Sequence, residues 1–161
     1  MKYLGKNSLS SVLSELFHVV WWVVLYLSVF FGVVFAITLF YKPFGDAIAN
    51  HIRNMNGTTT WDKIYGWNIF VKIIVLPYFA VLVILLELLI KKIQELFTNF
   101  KNDVVFNKKN VVIISRISKM SIVFSILTFS LSSLLLSIFM FILCEIVKKG
   151  TTLQEEHDFT V

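Results

Sequence analysis

Charged residues are scarce in this chain, and their scarcity indicates the solvent in which it folds. Only 16% of the 161 residues are Asp, Glu, Lys or Arg, whereas 57% are hydrophobic, and the mean hydropathy is +0.79. Soluble domains carry about a quarter charged residues. The composition therefore predicts an integral membrane protein, and it argues against a soluble enzyme or a soluble nucleic-acid-binding domain.

Residues that could carry chemistry are also few. The only cysteine, Cys144, lies in an apolar run, so no intrachain disulfide can form and no compartment is indicated. His18, His51 and His157 lie far apart and lack the spacing of metal ligands. No Gly-rich phosphate loop, nucleophile elbow or pair of inward carboxylates is present. We expect no enzymatic activity, no metal and no cofactor.

Three apolar stretches are long enough to cross a bilayer, whose hydrocarbon core of about 30 Å requires roughly 20 helical residues. The first, 16–41, is too long for the apolar core of a signal peptide, so we predict a retained span. The second is expected at 67–90, with a kink at Pro77, and the third at 120–146. The predicted fold class is an all-α integral membrane protein with three main transmembrane helices in a single membrane domain, 1–161.

A four-helix alternative folds the last apolar stretch into a short hairpin that turns near Ser130–Ser133. Its first arm, from about Met120 to Phe129, would extend only about 15 Å, which is half of the hydrocarbon core. No Gly, Pro or Asn marks a turn in this stretch. The sequence therefore favours three spans over four.

Positive charges predict the orientation of the chain. Lys and Arg concentrate in the segment 91–119, which we expect to be cytoplasmic and, in its first part, loop-like. The N-terminus is then cytoplasmic and the loop 42–66 lies outside. The polar tail 147–161 would lie outside with three spans, where Lys148 and Lys149 break the rule mildly, and inside with four.

Two charged residues fall within the second span, where such residues are functional candidates. Lys72 and Glu87 are fifteen positions apart, or roughly 22 Å along a helix, so they cannot pair with each other. We expect Lys72 to extend toward the membrane surface and Glu87 to pair with Lys91, four residues later. An ion or proton relay is the alternative.

A stripe of hydroxyl side chains is predicted on one face of the last helix, because these residues recur at steps of three and four. Such stripes allow helices to approach closely, and the stripe favours packing within the protein or in a homo-oligomer over a path for solutes. Its members are Ser118, Ser121, Ser125, Thr128 and Ser132.

The most specific pattern is the end of the sequence, "EIVKKGTTLQEEHDFTV", which resembles the C-terminal signature of domain-of-unknown-function family 2975, a family of small bacterial membrane proteins. The upstream "VFNKKN", with Phe106 and Asn110, is similar to the family's Phe-x-x-x-Asn element. Family members have four spans and more residues between these two elements, and Phe159 replaces their usual Leu. The matching positions in the tail are Glu145, Lys148, Lys149, Gly150, Leu153, Glu155, Asp158, Thr160 and Val161.

The resemblance implies a multi-pass protein of a bacterial inner membrane that sequesters or signals to a cytoplasmic helix-turn-helix regulator, without binding nucleic acid itself. The stretch 153–161 could add to a partner's sheet as an extended strand. A small transporter or channel subunit, using Lys72, Glu87 and the hydroxyl stripe, is the alternative. The residues assigned to partner binding are Glu145, Gly150, Leu153, Glu155, Glu156, Asp158, Phe159, Thr160 and Val161.

Overall fold

The computed structural model describes residues 3–56 and 67–159, with side chains described for 3–51 and 67–157. The regular structure of these residues is entirely α-helical, as the fold class predicts. Five helices follow one another in the described chain: α1 (Leu9–Phe40), α2 (Lys42–Asn56), α3 (Ile69–Lys101), α4 (Lys108–Thr128) and α5 (Leu131–Phe159).

Four of the described helices, α1, α3, α4 and α5, are long and apolar enough to cross a membrane. The protein therefore has the helices of a multi-pass membrane protein, but the predicted count of three main spans is not confirmed. The stretch 120–146, expected to form one helix, is divided between α4 and α5 by a turn at Phe129 and Ser130.

Backbone and hydroxyl groups close this turn without the help of glycine or proline. Phe129 adopts the left-handed conformation, with φ 51° and ψ 35°, at a cost of about 1 kcal/mol for a residue with a Cβ. The Ser130 N–H donates to the Ser125 carbonyl (3.2 Å), and the Ser125 hydroxyl donates to the Ser130 carbonyl (2.9 Å). Ser130 in turn accepts from the Ser133 N–H (3.4 Å), which caps the start of α5.

The first part of the basic segment is helical rather than loop-like, since α3 continues to Lys101. Ile93, Leu96, Phe97 and Phe100 recur at helical spacing and give this extension an apolar face. The Phe97 ring stacks on Phe17 of α1 at 5.5 Å. Apolar packing of this kind stabilises a helix more than intrinsic propensity does.

The described chain divides into two compact units. One unit combines the beginning of α1, the second half of α3, α4 and α5. The other holds the rest of α1, α2 and the first part of α3, with Leu39 and Ala49 buried and the rings of Phe35 and Phe79 5.5 Å apart. The expected outer loop 42–66 therefore begins as a helix, and its remainder, 57–66, lies outside the described residues.

The hydroxyl stripe is divided by the turn. Ser118, Ser121 and Ser125 are buried on α4, while Thr128 is half-buried and Ser132, beyond the turn, is exposed. Small side chains allow two helices to pack closely, and α4 and α5 pack against each other along the hairpin. The hydrophobic core of this unit consists of Leu89, Leu96, Ile113, Ile114, Ile117 and Val147.

We predict that Ser118→Leu destabilises the α4–α5 hairpin, whereas Ser132→Leu does not. Ser118 is fully buried (0% exposed), so the larger side chain must displace its neighbours at a cost of about 1–3 kcal/mol. Thermal unfolding of the detergent-solubilised variants measures the effect, and the melting temperature of Ser118→Leu should fall by several degrees. Equal melting temperatures of the two variants would contradict this packing.

Candidate interaction site

The connection between α3 and α4 is organised around a buried asparagine. Asn110 has no solvent exposure, and its side-chain N–H groups donate to the carbonyls of Val104 (2.8 Å) and Val105 (2.9 Å). Its Oδ1 accepts from the Asn99 amide at 2.6 Å. A buried polar group that lost these partners would cost about 1–3 kcal/mol, so the asparagine holds the turn in one conformation.

Phe106, at the end of this turn, packs against the backbone of α5 at Gly150. A Cβ at position 150 would overlap the Phe106 ring where it lies, so any larger residue there must displace the ring. A second contact lies beside it, where Lys108 Nζ is 2.9 Å from Glu155 Oε1. Together these contacts hold the C-terminal turns of α5 against the start of α4.

Ion pairs and polar contacts link the other helices at the same end of this unit. Lys101 Nζ is 3.1 Å from Glu15 Oε1, and the hydroxyls of Ser14 and Thr98 are 2.8 Å apart. Exposed ion pairs contribute only about 0–1 kcal/mol each. Their main effect is therefore to orient the helix ends. Glu95 is shared by two lysines, at 2.7 Å from Lys92 and 3.5 Å from Lys109.

The tail is helical through Phe159, so the described part of 153–161 is not the extended strand expected from the sequence. Leu153 is 66% exposed, and Glu156 and His157 are also exposed. This leaves a solvent-facing surface on the last turns of α5.

The residues assigned to partner binding are thus in different environments. Gly150 and Glu155 contact the start of α4, and Leu153 and Glu156 face solvent. Glu145 is exposed on α5, between one and two turns before Gly150. For Asp158 and Phe159 the helical backbone alone is described. Thr160 and Val161 lie outside the described residues.

The charged residues of the second predicted span lie in separate units of the chain. Lys72 is half-buried in the first part of α3, whereas the carboxylate oxygens of Glu87 are buried in the second part. Lys91, the expected partner of Glu87, lies with its Nζ 5.3 Å from the centroid of the Trp21 ring. Sequence reasoning missed this cation–π contact, because Trp21 is separated from Lys91 by most of α1, α2 and the first part of α3.

Within the described residues, no three His, Cys, Asp or Glu side chains lie close enough to hold a metal ion. The histidines are separate: His18 Nδ1 is 3.0 Å from the Gln94 amide, while His51 and His157 are exposed. A cavity of about 470 Å³ between α3, α4 and α5 is lined by apolar side chains together with Ser121 and Ser133. This apolar lining favours lipid or packing roles over acid–base chemistry.

Comparisons of this chain with protein families, with curated proteins and with solved structures found no match. The resemblance noted in the sequence therefore depends on the quoted motifs alone. Their residues are nevertheless neighbours in the fold: Phe106 of "VFNKKN" lies against Gly150 of the tail, and Asn110 fixes the turn that carries Phe106.

We predict that Gly150→Ala lowers the stability of the protein and that Phe106→Ala removes this sensitivity. The added methyl group collides with the Phe106 ring, which should cost about 1–3 kcal/mol, and the collision disappears when the ring is absent. Thermal unfolding of the single and double variants measures the coupling between the two positions.

Gly32→Ala is the matched control, because nothing lies within 4 Å of a Cβ at that position. Its melting temperature should be unchanged or slightly higher, since alanine favours the helix. Equal losses from Gly150→Ala with and without the Phe106 ring would show that this contact does not hold the tail.

Proposed function

We propose that this chain is a non-enzymatic multi-pass protein of a bacterial inner membrane that binds a cytoplasmic helix-turn-helix regulator through the C-terminal turns of α5. The single observation that carries the proposal is the packing of α5 at Gly150 against Phe106, which precedes α4. Because of this contact, the tail and the basic segment 91–119 lie at the same end of one unit.

The positive-inside rule then gives the proposed side of the tail. Segments rich in Lys and Arg stay in the cytoplasm, and 91–119 is the most basic part of the chain. A tail at the same end is therefore cytoplasmic, as is the N-terminus. Lys148 and Lys149, which broke the rule in the three-span arrangement, agree with it in this one.

The proposed binding surface is the exposed face of the last helical turns. Leu153 supplies an exposed apolar contact, and Glu156 and Asp158 add negative charge to the same short segment. An amphipathic helix of this kind can lie in a partner's groove. Carboxylates can also occupy the basic surface with which a regulator contacts DNA phosphates. Such binding would keep the regulator from its operator.

A small transporter or channel subunit is the alternative function. The cavity of about 470 Å³ between α3, α4 and α5 gives it little support, because its lining is apolar apart from Ser121 and Ser133. A path for ions or polar solutes would require more polar groups or water along the route. The interaction hypothesis therefore agrees better with the described part of the chain.

We predict that a cysteine at Thr152, in a Cys144→Ser background, is protected from an impermeant thiol reagent in intact cells and becomes labelled after lysis. Thr152 is exposed on α5, so in intact cells the membrane keeps the reagent from it when the tail is cytoplasmic. His51→Cys in the same background is the control, because His51 is exposed on α2 and should be labelled from outside. Labelling of Thr152→Cys in intact cells would exclude a cytoplasmic partner at this surface.

We predict that Leu153→Asp releases the regulator and changes transcription of its target genes, because a charge at the centre of an apolar contact disrupts docking. Thr152→Asp, one residue away on α5, is the matched control with the same added charge. Transcript profiling at equal membrane levels measures the effect, and a photo-crosslinker at position 153 should capture a helix-turn-helix protein. Identical profiles for the two variants would refute the proposed function.

A further inference from the structure

A second surface lies on the α4–α5 hairpin, apart from the proposed partner-binding turns. It is a groove of about 550 Å³ between the two helices. Arg116 and Lys119 of α4 and Lys148 of α5 line it together with one carboxylate, Glu145. Three cations therefore face one anion.

These cations are available to a ligand. Arg116, Lys119 and Lys148 are all exposed, and none of them lies within ion-pair distance of a carboxylate among the described side chains. Four other lysines of the same unit are different, because Lys92, Lys101, Lys108 and Lys109 are each paired with a glutamate. The excess positive charge of the groove is thus not neutralised within the described protein.

The groove continues into an apolar surface that runs toward the turn at Phe129. On α4, Val123 and Ile126 follow Lys119 at helical spacing on the same face, and they are 47% and 62% exposed. On α5, Phe141 and Ile138 precede Glu145 at the same spacing and are 40% and 49% exposed. A ligand that fills this surface needs an anionic head and apolar chains.

The length of the hairpin places the groove less than one hydrocarbon thickness from the turn at Phe129. Beyond Lys119, α4 has nine residues before the turn, or about 14 Å of helix. The uncharged part of α5 before Glu145 extends about 21 Å. Both lengths are shorter than a hydrocarbon core of about 30 Å, so the bilayer must thin locally or admit polar groups beside the hairpin.

We propose that this groove binds the phosphate headgroup of an anionic phospholipid. Arg116 offers a planar fork of donors that matches phosphate oxygens, while Lys119 and Lys148 add point charges. The acyl chains lie along the exposed apolar surface toward Phe129. A headgroup held at this depth supplies the anion that the three cations require and accommodates the short hairpin in the membrane. The site is independent of the partner-binding surface at Leu153.

The test is native mass spectrometry of the purified full chain with added phosphatidylglycerol or phosphatidylcholine of identical acyl chains. Phosphatidylglycerol should be retained more tightly. Removal of one cation should weaken its binding about fivefold, and Arg116→Gln/Lys119→Gln about 25-fold. The control Lys6→Gln/Lys149→Gln removes the same charge from exposed positions outside the groove and should bind as the unaltered protein does. Equal losses in the two double variants would overturn the proposal.

Glu145→Gln gives a test that misfolding cannot imitate, because it should strengthen phosphatidylglycerol binding by up to about fivefold. Unchanged or weaker binding would contradict the charge balance of the groove. Inorganic phosphate is the competitor that distinguishes a lipid from a free anion. It should fail to displace the lipid, since it lacks acyl chains, and displacement at millimolar concentrations would overturn the assignment to a phospholipid.

Discussion

The contact of the Phe106 ring with the backbone of Gly150 is the constraint on which the rest of this unit depends. It joins the turn after α3 to the far end of α5, and it can form only because α4 and α5 fold back on each other at Phe129. Asn110 fixes the turn from within, through two carbonyls and one amide. The side of the membrane proposed for the tail follows from this one approach.

The all-helical membrane class and the first two apolar helices could be predicted from the sequence. A helix that crosses a bilayer must be apolar and about 20 residues long, and composition and the length of an apolar run show both properties. The turn at Phe129 could not. Phenylalanine rarely ends a helix in the left-handed conformation. Ser125, whose hydroxyl donates across the turn, belongs in sequence to a stripe whose helical spacing continues to Ser132. The first arm, expected to begin at about Met120, is also longer than its apolar part, because α4 begins at Lys108 and includes Arg116 and Lys119.

The candidate site was only partly predictable for a related reason. Phe106 and Gly150, from the two motifs of the resemblance, contact each other, and Asn110 fixes the turn that carries Phe106. The distance between the two motifs along the sequence does not predict this contact. The tail was predicted as a segment that could add to a partner's sheet as an extended strand. It is helical here, with the Thr151 hydroxyl donating to the Val147 carbonyl at 2.8 Å and Glu155 paired with Lys108 at 2.9 Å.

The most direct test of the central claim is cross-linking of cysteines at positions 108 and 155, in a Cys144→Ser background, with a short bis-maleimide reagent in native membranes. The side chains of Lys108 and Glu155 meet at 2.9 Å, so Lys108→Cys/Glu155→Cys should cross-link within one chain at high yield. A pair at positions 108 and 129 is the control, because these residues lie at opposite ends of α4. If positions 108 and 155 fail to cross-link while each cysteine is reactive, the tail does not return to the basic end, which contradicts the proposed cytoplasmic position of the tail.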